Sequence, residues 1–500
     1  MTGIRIAVAG ALLIAGVRTG LAQHPEHERL GTVHFETSCS PRVALRFDHA
    51  VALLHSFEFG ASIQAFNDVL ATDSTCAMAY WGIALSRWTN PMVQGDRPFA
   101  LLQSGLQAVS AARRMSGRAS ERERGYVGAA AQLYDDFEHR DQRARVTAYE
   151  RAMRDLALRE PADTEAQIFH ALSLIASASP ADKSYANQLK AGRVLEALWA
   201  KQPNHPGLAH YIIHCYDYPP LAYKARAAAL RYASIAPDAA HALHMPSHTF
   251  TRLGMWKESA RANNRSRQVA LRNGSVAEAL HASDYAVYAY LQMGNDAAAK
   301  AILDGLPALA ARFDPAAITG AAPGSAGVFA LAAMPARWAL ERSAWAEAAA
   351  LEPHASAFPY AEAMTYFARA LGASHSGDLA KSRASIDSLD AIRQRLSAKG
   401  ESYWAEQVSI QHLAASAWLD LAEHRDSAAL LTMREAASRE DATEKSAVSP
   451  GPLAPSRELL GDMLVALHRV DAARAEYRAT LEKEPRRRHS SSALGASSHD

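Results

Sequence analysis

The stretch HALHMPSH, residues 241 to 248, sets His241, His244 and His248 close together, and AHYIIHCYD just upstream carries His210, His214 and Asp217. Side chains four residues apart share one face of a helix, so His210 with His214 and His244 with His248 form two imidazole pairs. Five of the chain's 21 histidines fall between 210 and 248, where even scatter would leave fewer than two. Four neutral imidazoles, with Asp217 or Asp284 as a further oxygen ligand, suit a divalent transition metal such as Zn²⁺, Cu²⁺, Ni²⁺ or Fe²⁺. The residues inside the pairs are Tyr-Ile-Ile and Met-Pro-Ser, so neither carries the glutamate of H-E-x-x-H, and a hydrolase of that kind is not indicated. The same imidazoles could instead hydrogen-bond an acidic or peptide ligand. Pro246 either kinks the helix between His244 and His248 or starts a new one.

Helices must position these residues. Alternating β-branched runs are nearly absent and apolar residues recur at helical spacing, which makes the chain all-α. Near the C-terminus, LLGDMLVALHRVDAARAEYRATLEKEP places Leu460, Gly461, Leu464, Ala473, Tyr477 and Pro485 on a spacing that resembles the tetratricopeptide repeat (TPR) family. Pro161, Pro203 and Pro237 stay in phase with it, apart from an insertion expected in SASPADKSY. The resemblance implies a superhelical array of antiparallel helix hairpins in two sub-arrays. The first runs over 23–303 with an irregular helical insertion near 90–145, and the second over 331–487. A glycine- and proline-rich linker at 304–330 separates them, and a polar tail at 488–500 is expected to be disordered.

The resemblance also implies a concave, ligand-binding groove over 207–288. In its phase His210 stacks on His244 and His214 on His248. His241 faces the same groove, and His281, Asp284 and Tyr288 extend it as ligand-binding residues. His34, His55 and His170 read as structural.

Charge and export bound the rest. Lysine plus arginine (53) nearly cancels aspartate plus glutamate (52), which disfavours nucleic acid as a partner. The opening MTGIRIAVAGALLIAGVRTGLAQ reads as a cleavable signal over 1–22. A periplasmic or secreted location follows, with no membrane span. In an oxidising compartment Cys39 and Cys76 are the candidate disulfide, leaving Cys215 as a buried thiol. Nucleophile elbows, phosphate loops and paired C-x-x-C motifs are missing. The expected function is an exported binding or scaffold protein whose groove takes a peptide, protein or small molecule, with or without a metal. The alternative is a metal-dependent hydrolase or oxidoreductase built in the same groove.

Overall fold

A computed structural model describes residues 28–93, 96–179 and 181–495, and every regular element among them is helical. The predicted signal at 1–22 lies outside the described residues. Consecutive helices pair as antiparallel hairpins, for example Pro206–Cys215 with Ala222–Ile235, Pro359–His375 with Leu379–Ala398, and Ser402–Ala422 with Asp426–Ala442. This is the array that the tetratricopeptide spacing implied. No helix among the described residues is long and apolar enough to cross a membrane.

Small residues let neighbouring segments of the array close on an aromatic ring. A Cβ added at Gly105 would lie 2.0 Å from the Tyr134 ring, at Gly192 2.1 Å from the Tyr216 hydroxyl, and at Gly461 2.6 Å from the Tyr477 ring. Gly461→Val is therefore expected to cost about 1–3 kcal/mol through overpacking. The check is urea unfolding, and an unchanged midpoint would mean that the hairpin tolerates a wider spacing.

Four stretches differ from the sequence expectation. Residues 90–145 are not an irregular insertion: Phe99–Met115 completes a hairpin with Ala77–Trp88, and Glu121–Ala131 forms another with Gln142–Arg159. Long connections on either side hide that periodicity. The linker is shorter than 304–330, because Leu306–Ala310 is helical and Gly324–Leu340 begins at Gly324. Its middle folds back on the first hairpin, where Gly60 N–H donates to Thr319 O (2.8 Å).

The core also divides earlier than the linker. One apolar cluster gathers Leu30 to Phe250 together with Ala321 of the linker, and a second runs from Ala277 to Tyr477. The Val276–Gln292 helix joins them by packing on both Trp256–Arg272 and Gly324–Leu340.

Among the described residues the tail is folded. Arg488–Ala493 is helical, and Arg487 is buried against Glu341, Glu458 and Glu484. Three converging carboxylates hold this arginine just before the stretch expected to be disordered. Cys39 and Cys76 are disulfide-bonded with Cα atoms 5.0 Å apart, and Cys215 is a buried thiol.

Candidate metal centre

Pro206 opens the Pro206–Cys215 helix at its first turn, where its missing N–H costs nothing. His210 and His214 follow on one face. In the next hairpin Pro246 likewise opens a helix, Pro246–Arg252, directly after Ala240–His244. Met245 between them keeps right-handed helical angles (φ −52°, ψ −37°). The axis therefore restarts without unravelling, and His244 and His248 still face each other with Nε2 atoms 3.1 Å apart.

The six imidazoles sort into two triads. His210, His214 and His241 form one, and His244, His248 and His281 the other; within each, one ligand atom per residue lies within 4.8 Å of the other two. All six are buried. The triads adjoin, with ring centres of His241 and His244 5.8 Å apart and those of His214 and His248 6.3 Å apart. Of the two contacts the repeat phase set, His214 against His248 is present, whereas His210 meets His214 (ring centres 4.8 Å apart) and His241 (5.0 Å) where His244 was expected. The actual sorting follows from His241, which turns back to the preceding helix, and His281, which comes in from the following one.

Outer partners fix the tautomers. His210 Nδ1 is 2.7 Å from the carbonyl of His55, and a carbonyl only accepts, so the proton sits on Nδ1 and Nε2 is bare. Asn263 donates its amide to Ser259 O (2.8 Å), leaving its Oδ1 to accept from His244 Nδ1 (2.7 Å). His248 Nδ1 donates to Asp217 Oδ2 (2.8 Å) and His241 Nδ1 to Glu278 Oε1 (3.0 Å). Such orientation from outside is how metal-binding histidines are commonly set. The Nε2 atoms of His244 and His248 thus oppose bare lone pairs at 3.1 Å. His210 and His214 Nε2 are also 3.1 Å apart. Two further buried ring nitrogens, His241 Nε2 and His281 Nδ1, have no hydrogen-bond partner.

A proton does not fill these gaps near neutral pH. Burial, and then the adjacent imidazoles, hold His210, His214 and His244 well below the ordinary histidine value. Burial pushes His248 down to about 4 and His281 down to about 3, although Asp217 and Glu278 pull the other way. The arrangement suits a cation other than H⁺.

The remaining expected residues lie around the triads or away from them. Asp217 is not among the triad atoms; despite burial, Lys445 (3.0 Å) and Arg252 (3.0 Å) keep it ionised as the acceptor for His248. Asp284 spends Oδ1 on Arg337 Nε (3.2 Å), and the Tyr288 hydroxyl donates to Glu484 (2.8 Å) and accepts from Arg487 (2.9 Å). Among the described residues neither is hydrogen-bonded to a histidine. The histidines also do not line an open groove. The connection 443–455 lies over them: Tyr285, packed on His244, donates to Ser449 O (2.9 Å), and Lys445 reaches Asp217.

Several supporting residues escape a reading centred on histidine pairs, among them Glu278, Asn263, Tyr285, Lys445 and Glu58, whose Oε1 accepts from His241 N at 3.1 Å. Glu278-Ala-Leu-His281 is itself a Glu-x-x-His spacing on one helix and was the available signal. His55, expected to be structural, belongs to a brace in which Glu165 Oε2 and Oε1 each lie 2.9 Å from a ring nitrogen, of His55 and His205 respectively. His55 Nδ1 meets the Tyr211 hydroxyl at 3.0 Å. That third cluster has both carboxylate oxygens engaged, and it holds the His55 carbonyl against His210.

Two spaces adjoin the triads. A cavity of about 10 Å³, roughly one water's worth, touches His214, His241, His248 and His281, with Asn90, Val93, Ala322 and Val448 also on its walls. A larger, partly open cavity of about 490 Å³ reaches His214, Asp217 and Lys445 past Trp88, Tyr218 and Trp404.

No family profile matches the chain, and no curated protein does. Solved structures with similar helix arrays include the C-terminal part of a TPR repeat-containing protein from Cytophaga hutchinsonii, at 13% identity and TM-score 0.28, covering 54% of this chain and 99% of that one. The human IFIT1 dimer with m7Gppp-AAAA aligns at 11% identity and TM-score 0.36, covering 81% and 89%. Yeast Tom70 aligns at 9% identity and TM-score 0.28, covering 90% and 88%.

Proposed function

We propose that this protein is an exported metalloprotein in which the two histidine triads hold a pair of transition-metal ions, for chemistry on a small molecule admitted through the 490 Å³ cavity. The observation that carries the reading is the opposition of His244 and His248 Nε2 at 3.1 Å with both Nδ1 protons engaged elsewhere. Two bare lone pairs at that distance repel in a dry site unless a cation lies near both. The orphaned nitrogens of His241 and His281 add two more donors of the same kind. Three ligands per ion leave each ion an open position, as catalytic metal sites have. The Cys39–Cys76 bond supports the export part of the reading.

A peptide laid directly on the histidines is not part of this proposal, since the connection 443–455 occupies that space. Binding of a ligand elsewhere in the array stays compatible with it: a cavity of about 720 Å³ bordered by Tyr185, Arg252, Tyr360 and Trp404 lies next to the site.

The test is elemental analysis of the mature chain, purified without chelator or polyhistidine tag. About two metal equivalents per chain are expected, about one in His244→Ala and none in the His210→Ala/His244→Ala variant. Absence of metal in the parent, with no rise in melting temperature on adding Zn²⁺, Cu²⁺ or Fe²⁺, would sink the reading.

A further inference from the structure

We infer that the metal pair is copper and that it takes up dioxygen between the two ions. This rests on the metal reading above.

The ligand atoms carry the first step. Each triad supplies imidazole nitrogens alone. The nearby carboxylates are otherwise engaged: Glu278 accepts from His241 Nδ1 and Ala322 N, and Asp217 from His248, Arg252 and Lys445. Ions that demand oxygen ligands are therefore poorly served, whereas imidazole suits copper, zinc, iron and nickel, with divalent copper bound most tightly.

Charge then separates these metals. Two divalent ions would bring four positive charges into a buried site where Asp217 is already countered by Lys445 and Arg252, leaving Glu278, bonded to His241 and Ala322 N, as a carboxylate beside the triads with no lysine or arginine partner among the described residues. Uncompensated charge in such a place is expensive. Copper is stable as a monovalent ion with neutral nitrogen ligands, and two cuprous ions halve that burden.

The third step is the space between the triads. The cavity of about 10 Å³ is bordered by two histidines of each triad, His214 and His241 against His248 and His281, and its other walls include Val93, Ala322 and Val448. A diatomic molecule or a single water fits there, and a larger substrate does not. His214 also borders the 490 Å³ cavity, which gives a small gas a route inward.

Dioxygen matches that space electronically. Held by the two triads, each Cu⁺ would give up one electron and O₂ would accept both, its double bond falling to the single bond of O₂²⁻ as the two coppers become Cu²⁺. No proton is needed, and the total charge of metals plus oxygen stays at two positive throughout. A buried site with neutral ligands can run that step without importing a counter-ion.

The experiment uses the full mature chain, stripped with chelator, loaded anaerobically with two equivalents of Cu⁺ and then mixed with air-saturated buffer. Expected are uptake of one O₂ per two coppers, an intense near-ultraviolet charge-transfer band, and no Cu²⁺ paramagnetic resonance signal because the two spins couple. His281→Ala should bind one copper fewer, show no such band, and give an ordinary mononuclear Cu²⁺ signal after oxidation. Two bound coppers that take up no O₂, or an uncoupled Cu²⁺ signal in the parent, would overturn the inference. Parallel titrations with Zn²⁺ and Co²⁺ separate its failure from that of the metal reading. Two equivalents of either ion with an inert copper form would remove only the dioxygen step, and failure of every metal to bind would remove both.

Discussion

Acidification is expected to unfold the metal-stripped protein steeply, its unfolding free energy rising a little as the pH falls from about 8 to 6.5, through Glu58 and Glu440, and dropping by about 4 kcal/mol or more per pH unit below that. The slope comes from a balance of buried groups. His210, His214 and His244 are held well below the ordinary histidine value by burial and then by one another, and burial holds His248 near 4 and His281 near 3. Their unfolded counterparts take up protons below about 6.5. The unfolded state then binds more protons, so the stability present above pH 6.5 is lost as the pH falls toward 4, at about 1.4 kcal/mol per unit for each group.

Two carboxyls oppose this. Burial, then Glu278, pushes Glu58 up to about 8, and burial pushes Glu440 up to about 7. Each is protonated in the folded chain and ionised in the unfolded one, so falling pH favours folding through them until about 4.5, with a similar slope. Glu58 and Glu440 thus offset two of the depressed imidazoles, and the others, to which burial adds His375 near 4 and His55, set the sign. Urea unfolding of chelator-treated protein at pH 7, 6 and 5 reads the effect directly. Bound metal should steepen the fall, because it competes with protons for the same nitrogens. A level profile would mean that the imidazoles are already charged in the folded chain.

The part of this site written locally was legible in sequence. His210 with His214, and His244 with His248, share helix faces by spacing alone. The allocation of histidines between triads was not, because His241 joins two histidines of the preceding hairpin and His281 arrives from the following helix, contacts that no spacing within one helix announces. Glu278 was overlooked although Glu-x-x-His stands in the chain. Lys445 has no local signal at all: it arrives on a connection between late helices and meets Asp217 across 228 residues of chain. The fold shows the same division. Gly461 with Tyr477 announces its hairpin, while the long connections around Phe99–Met115 conceal theirs.

Replacing Arg487 by methionine is expected to cost about 3–5 kcal/mol, the penalty for leaving buried carboxylates without their cation. The side chain is 1% exposed. Its guanidinium lies 2.9 Å from Glu341, 2.9 Å from Glu458 and 3.5 Å from Glu484, and it donates to the Tyr288 hydroxyl at 2.9 Å. Methionine keeps most of the volume and none of the charge, so lost packing contributes little. Lysine should recover only part, since an ammonium cannot present the planar fork that serves several carboxylates at once.

The two causes can be parted by a second substitution. If the cost lies in orphaned charge, Arg487→Met/Glu458→Gln will be more stable than Arg487→Met alone; if it lies in the lost contact, the losses will add. Metal content should match the parent in every one of these variants, because Arg487 braces the tail against the Val276–Gln292 helix through Tyr288 and not through an imidazole. Urea unfolding of the parent and these variants, with metal analysis of each, decides the matter. An unchanged midpoint for Arg487→Met would show that the last helix is attached by other contacts, of which Trp256 Nε1 donating to Arg486 O at 3.0 Å is the first to remove.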